Sequence, residues 1–300
     1  MAYIAIVTLY VLMLLIISVS KSRAIKNDED FMVAGRGVPV YMMVATLVCT
    51  WIGSGSLFGS AGLTFRTGIS ELWFSAGAWI GILVVYLIAA RVRRIADYTL
   101  TDLLERRYSQ AAKVLGTVTI IIAYMVIAGY QFKGGGRFIA ILSDGSITPE
   151  VGMIIAAALI IGFTVLAGMV SIVSIDVFNG SVMLLAMAVA LPFAVMGHGG
   201  VEAVISTIQQ AKPSHLSIMG SNDTLWVVGI ALPTFLLLMS ESSMYQKFSS
   251  ADSPQNARRA VMGMFIGVVV VEVLMMLIAL VGYAIYIDDP RFFMTDGSIN

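Results

Sequence analysis

Charge is scarce in this chain, and the scarcity decides its class. Only 12% of the 300 residues are charged, 59% are hydrophobic, and the mean hydropathy is +0.92. A soluble domain carries about 25% charge, so the composition excludes a water-soluble globule and specifies a polytopic helical membrane protein. The formal net charge is zero; it singles out no partner, and nucleic acid is not expected. Cysteine is almost absent. The lone Cys49 lies inside an apolar run, which leaves no disulfide framework and no metal cluster. Histidine occurs twice, as His198 and His215 in one polar loop, and both are read as surface residues without zinc-site spacing. An enzyme is not expected, because no histidine falls in a span and the cysteine has no visible partner. The KGGG run at Lys133 to Gly136 is no phosphate loop: no strand precedes it and the terminal Lys-Ser/Thr is missing. Close helix packing accounts for its glycines.

What the chain has in quantity is apolar runs. A spanning helix needs roughly 20 such residues. One membrane domain over 1–300 is expected, with spans at about 2–20, 40–62, 71–90, 113–142, 151–169, 172–197, 225–248 and 261–287. The first is an anchored span rather than a signal peptide, since no basic residue precedes it and Lys21 and Arg23 follow. With the N-terminus outside, the inner side holds thirteen basic residues, Lys247 among them, against five outside, the bias expected of cytoplasmic loops. Within the inner loop 91–112, Thr101 is placed as the cap of a short amphipathic helix, with Glu105 one turn later. The outer stretch 198–224 contains GGVEAVISTIQQ, a short helix that is either a lid or a plain connector.

Two of these spans are broken. In 40–62 the residues Gly53, Ser54, Gly55, Ser56, Gly59, Ser60 and Gly62 crowd ten positions, and glycine inside a helix costs about 1 kcal/mol relative to alanine. Lipid cannot satisfy freed backbone groups, so unwound backbone at Gly53 to Ser56 must face protein or water. In 225–248, Pro233 removes a donor and leaves a carbonyl free near Thr234, while Ser240 to Ser243 break the second half. Four spans separate the two, the spacing expected for the first helices of two five-helix repeats in an inverted-repeat transporter.

Ionisable residues inside spans are costly and mark function or pairing. Glu71 is placed at a span end, where it reaches water. Asp176 lies about one turn inside its span; it is either a carboxylate favoured by the helix dipole or a way station for a cation. Glu241, among Ser240, Ser242 and Ser243, suggests a wet vestibule. Glu272 is the deepest carboxylate, either protonated or bonded to a neighbouring span.

Five segments, taken in order, resemble the sodium:solute symporter family. They are FMVAGRGVP (31–39), TWIGSGSLFGSAG (50–62), YTLTDLLERRY (98–108), VSIVSIDVFNG (170–180) and YQKFSSADSPQNARRAVMG (245–263). The resemblance implies an all-α polytopic membrane bundle. Its fold would be a LeuT-type inverted repeat with an extra N-terminal helix and an incomplete second repeat. It implies sodium-coupled symport of a small organic solute across the cell membrane by alternating access. Sodium is the coupling ion and the bilayer the surroundings. By the same resemblance the backbone carbonyls of Cys49 and Ile52 hold sodium, and Asp176 serves its transit. Solute contacts fall on Trp51, Ser54, Gly55, Ser56, Thr234 and Leu237. Trp51 is either a packing residue or an aromatic facing a cationic solute. The alternatives are a sensor-kinase membrane module on the same fold and an ion channel, which would need a pore ring or filter loop. RFFMTDGSIN, after Asp288-Asp289-Pro290, is read as an outer loop cut partway. Three further core helices would be required, so the 300-residue chain alone is expected neither to hold sodium tightly nor to transport.

Overall fold

The computed structural model describes residues 2–22, 26–95 and 99–289. The expected loop after Asp289 and the basic residues Arg23 and Arg291 lie outside the described residues. Twelve α-helices run through the described part: α1 (Ala2–Ser22), α2 (Asp28–Val33), α3 (Val40–Trp51), α4 (Ser54–Thr67), α5 (Leu72–Ile95), α6 (Leu100–Arg107), α7 (Gln110–Leu142), α8 (Pro149–Gly197), α9 (Val201–Ala211), α10 (Thr224–Ser240), α11 (Ser242–Ser250) and α12 (Pro254–Tyr286). Four stretches are long and apolar enough to cross a membrane: Ser54–Ile95, Gln110–Leu142, Gly168–Gly197 and Pro254–Tyr286. The helix α8 is interrupted at Gly168, whose φ of 51° and ψ of 179° suit glycine alone.

The chain divides into two compact units. One comprises Met1–Gly55, Tyr86–Gly180 and Glu241–Met264. Its buried centre is Met43 and Leu47 of α3, Met244 and Phe248 of α11, and Val261 and Met264 of α12. A parallel bridge joins Val38 to Ala251, and the Arg93 guanidinium donates to the Ala251 carbonyl at 2.7 Å. In this unit α7 and α8 meet through glycines: a Cβ on Gly136 would strike the backbone of Pro149 and Met153. The expectation of close packing at KGGG is thereby met. The cap of α6 is Thr99 rather than Thr101. Thr99 and Asp102 form a reciprocal capping box, worth about 1 kcal/mol, whereas Thr101 turns inward and is buried.

The other unit comprises Ser56–Val85, Ser181–Ser240 and Phe265–Asn300. The amphipathic α9 buries Val204 and Ile208 against Leu280, Tyr283 and Ala284 of α12. His215, expected on the surface, is 1% exposed. It stacks on Tyr283 at 4.7 Å, and its Nε2 lies 3.0 Å from the Phe65 carbonyl. A carbonyl only accepts, so Nε2 carries the proton and Nδ1 is left without a partner among the described residues. Burial is the main cause that pushes the His215 pKa below 6.5, with Lys212 adding to it and the Phe65 hydrogen bond opposing it. A group depressed in this way stabilises the fold fully above its unfolded pKa and loses that contribution as pH falls toward the folded value. Thermal stability is therefore expected to decline as pH drops below about 6.5, with the slope reduced in His215→Gln.

In the same unit α5 and α10 touch backbone to backbone. A Cβ on Gly77 would land on the Ala231 carbonyl, and one on Gly81 would press on Leu238. Backbone cannot rotate away, so Gly77→Val is expected to destabilise by about 1–3 kcal/mol or more, read as a lower unfolding temperature in detergent. Gly62→Ala meets nothing within 4 Å and is expected to be neutral or slightly stabilising.

Candidate functional site

In the first unit the helix α3 ends because Ile52 leaves helical space, at φ −87° and ψ 102°. The next helix restarts at Ser54. The unwound stretch is thus Ile52 and Gly53, shorter than the Gly53 to Ser56 expected; Ser54 to Ser56 already form the first turn of α4. The side chain of Gln131 on α7 explains the early restart. Its Oε1 accepts the Ser54 backbone N–H at 2.7 Å and also the Ser54 hydroxyl, satisfying a donor that a helix start leaves orphaned. This contact needs glycine at 53, where any Cβ would run into the Gln131 amide. Gly55 is less constrained, with the Tyr130 ring 3.6 Å from an added Cβ.

A second break lies at Glu241, with φ −66° and ψ 95°. Pro233 does not break α10, which runs through to Ser240. Tyr124, also on α7, staples this break. Its hydroxyl donates to Glu241 Oε1 and accepts the Ser243 N–H at 2.9 Å, while Ser243 Oγ donates to Glu241 at 2.7 Å. Tyr124 and Gln131 stand two turns apart on one face of α7. One helix, α7, therefore braces both breaks.

Below the first break, the inward face of α3 meets Asp176 of α8. The Thr46 hydroxyl donates to Asp176 Oδ2 at 2.5 Å, and Cys49 Sγ donates to the Asp176 carbonyl at 3.3 Å. Asp176 is not a capping residue, since it lies about two turns beyond Gly168 and its carboxylate is taken by side chains. Lys247, counted above among the basic residues of the inner side, is buried at 7% exposure. Its ammonium lies 3.4 Å from Asp176 Oδ2. It also donates to the Thr46 carbonyl at 3.0 Å, to Thr46 Oγ1 at 2.7 Å and to Thr50 Oγ1.

The second unit holds Ser56, Thr234 and Leu237. Thr234 is buried with its hydroxyl on the Ile230 carbonyl, and Leu237 is 48% exposed. Glu71 does not reach water. It is fully buried, accepts hydrogen bonds from Ser60 and, at 3.3 Å, from Ser75, and keeps Oε2 without a partner among the described residues. The deep carboxylate of Glu272 accepts the Trp79 indole N–H at 2.6 Å, one of the two alternatives read from the sequence.

The chain matches the sodium:solute symporter family over residues 31–298. It belongs to that family. It is similar to the sodium/proline symporter 2 of Staphylococcus saprophyticus, 22% identical over 237 residues, which cover 76% of this chain and 46% of the relative. It is similar also to the sodium/pantothenate symporter of Escherichia coli, 24% identical over 253 residues, 82% of this chain and 52% of the relative. The chain spans about half the length of the curated relatives it matches. Among solved structures it superposes on a substrate-bound, outward-open Na+-coupled sialic acid symporter with a TM-score of 0.84. That match is 16% identical and covers 98% of this chain and 63% of the other. The fold of this symporter-family chain is thus an all-α LeuT-type bundle, and the chain is a multi-pass membrane protein.

Proposed function

We propose that the chain forms part of a sodium-coupled secondary active symporter that carries a small organic solute by alternating access, and that it is not an enzyme. The observation that supports this best is the break at Ile52 and Gly53 within an apolar helix pair. Backbone freed from helical bonding in a membrane must be met by protein, water or an ion. In this reading the carbonyls of Cys49 and Ile52 are sodium ligands, and Asp176 receives the ion on its way to the cytoplasm. Trp51, Ser54, Gly55 and Ser56, with Thr234 and Leu237, contact the solute. Gln131 joins them as a polar group beside Ser54 that the apolar run of α7 concealed. The relatives named above are symporters of proline and pantothenate, and the structural neighbour is a symporter of sialic acid; these set the first solutes to try. The basic-residue bias supports a cell-membrane protein with its N-terminus outside.

The experiment is an uptake panel of proline, pantothenate and sialic acid with the full-length transporter that contains this chain, in cells or proteoliposomes under an inward sodium gradient. Uptake that saturates with solute and collapses when an ionophore removes the gradient is expected. Gradient-independent, non-saturating flux would reject the carrier in favour of a channel.

A further inference from the structure

The ammonium of Lys247 occupies a set of oxygens built for a desolvated monovalent cation. A carbonyl (Thr46), two hydroxyls (Thr46 and Thr50) and a carboxylate (Asp176) converge on it. Oxygen donors of this kind are also what hard alkali and alkaline-earth ions take. Lysine has three N–H donors and no acceptor, so this shell consumes all of its hydrogen-bonding capacity. Its position is unlike that of a surface lysine, whose head stays in water while its stem packs. Here both ends are buried, and the ammonium ties three helices, α3, α8 and α11, at one point.

We propose that Lys247 is a tethered cation filling an inner monovalent-cation site made by Thr46, Thr50 and Asp176, that it latches these helices, and that sodium taking the same oxygens holds them in its place. One carboxylate, Asp176, is in direct contact with the ammonium at 3.4 Å; Glu241 acts on it only from farther away, so the charge in contact balances one cation. A second positive charge a few ångströms away, in a medium of low dielectric, is strongly repelled. Sodium and the ammonium are therefore alternatives at this site. None of the oxygens around the ammonium is the Cys49 or Ile52 carbonyl. The exchange by sodium rests on the symporter reading; the latch does not.

The chain contains its own reporter. Cys49 is the only cysteine, is partly buried, and bonds the Asp176 backbone on the seam that Lys247 closes. Gly180 leaves its sulfur room, at 3.3 Å from an added Cβ. Opening the seam exposes that thiol. The test is the rate of Cys49 alkylation by a hydrophilic maleimide, with the chain in lipid nanodiscs, in N-methylglucamine chloride and in sodium chloride. The unaltered chain is expected to label slowly in both. Lys247→Met is expected to label at least about tenfold faster in N-methylglucamine, equivalent to about 1.4 kcal/mol of lost closure, and to slow again in sodium. Lys247→Arg, which keeps the charge, is expected to stay slow. Labelling of folded Lys247→Met at the unaltered rate overturns the latch. Acceleration that sodium does not reverse overturns the shared site. Should Lys247→Met not fold because Asp176 is left unpaired, the neutral pair Lys247→Met with Asp176→Asn removes both buried charges. Fast, sodium-indifferent labelling of that pair upholds the latch, and slow labelling overturns it. No transport enters this readout, so a failed uptake panel and a failed labelling experiment are separate results.

Discussion

Replacing Gly53 with alanine is expected to abolish most sodium-driven uptake while leaving the protein folded and in the membrane. The methyl group would collide with the amide of Gln131. That amide is the far end of a flexible side chain, so the helices need not part; Gln131 swings aside instead. What is lost is its bond to the Ser54 N–H and hydroxyl, the contact that fixes where α4 restarts. Displacing positioned groups by about 1 Å is enough to cost on the order of a hundredfold in rate where geometry matters. Gln131→Ala alone is expected to reproduce the defect, and the double variant to be no worse than either single one. Such non-additivity is the signature of two residues acting through one contact. Additive losses would mean that Gly53 matters for another reason. Gly55→Ala, with Tyr130 at ordinary contact distance, is expected to retain more uptake than Gly53→Ala.

The location of this break was legible in the sequence because glycine acts locally. A residue that costs helix wherever it stands announces a break without knowledge of its neighbours. The braces were not legible. Gln131 lies 77 residues from Ser54 and Tyr124 lies 117 from Glu241. Their shared face on α7 takes meaning only once both partners are in place. Lys247 was misread for a related reason. A lysine just before a polar loop fits the positive-inside pattern, and nothing local distinguishes a stem that turns inward from one that turns to water. Glu71 failed likewise: a carboxylate at a span end is cheap if it meets solvent, yet α4 brings Ser60 to it and the chain seals it in. His215 sits in a loop by sequence but lies under Gly68, where an added Cβ would strike the histidine backbone. The two threonines of the α6 cap show the limit at close range. Thr99 and Thr101 both precede acidic residues, and only the reciprocal bond with Asp102 decides between them. Patterning thus reached the helices and the places of both breaks, the second at Glu241 within the expected Ser240 to Ser243, and stopped where long-range partners set the role of a side chain.

Asp176→Asn is expected to raise the sodium concentration needed for half-maximal uptake by at least about tenfold, or about 1.4 kcal/mol, without loss of insertion. The substitution is close to isosteric. An asparagine oxygen still accepts from Thr46, and the backbone carbonyl still accepts from Cys49, so the α3–α8 seam keeps its hydrogen bonds. What it removes is the negative charge that faces Lys247 at 3.4 Å and, in the proposed cycle, the sodium ion. A cation leaving water must regain its hydration from protein oxygens, and a carboxylate oxygen adds the attraction of a full negative charge in a medium of low dielectric. The loss should therefore show in sodium dependence rather than in solute affinity at saturating sodium. A purely structural role as the partner of Thr46 and Lys247 would give the opposite pattern, with reduced thermal stability and unchanged sodium dependence. Breaking one member of a buried pair does cost stability, about 3–5 kcal/mol when a bare charge remains, so some fall in unfolding temperature accompanies either outcome. The sodium titration is what discriminates. If Asp176→Asn transports with unaltered sodium dependence, Asp176 is a structural partner of Lys247 and no station on the ion's path.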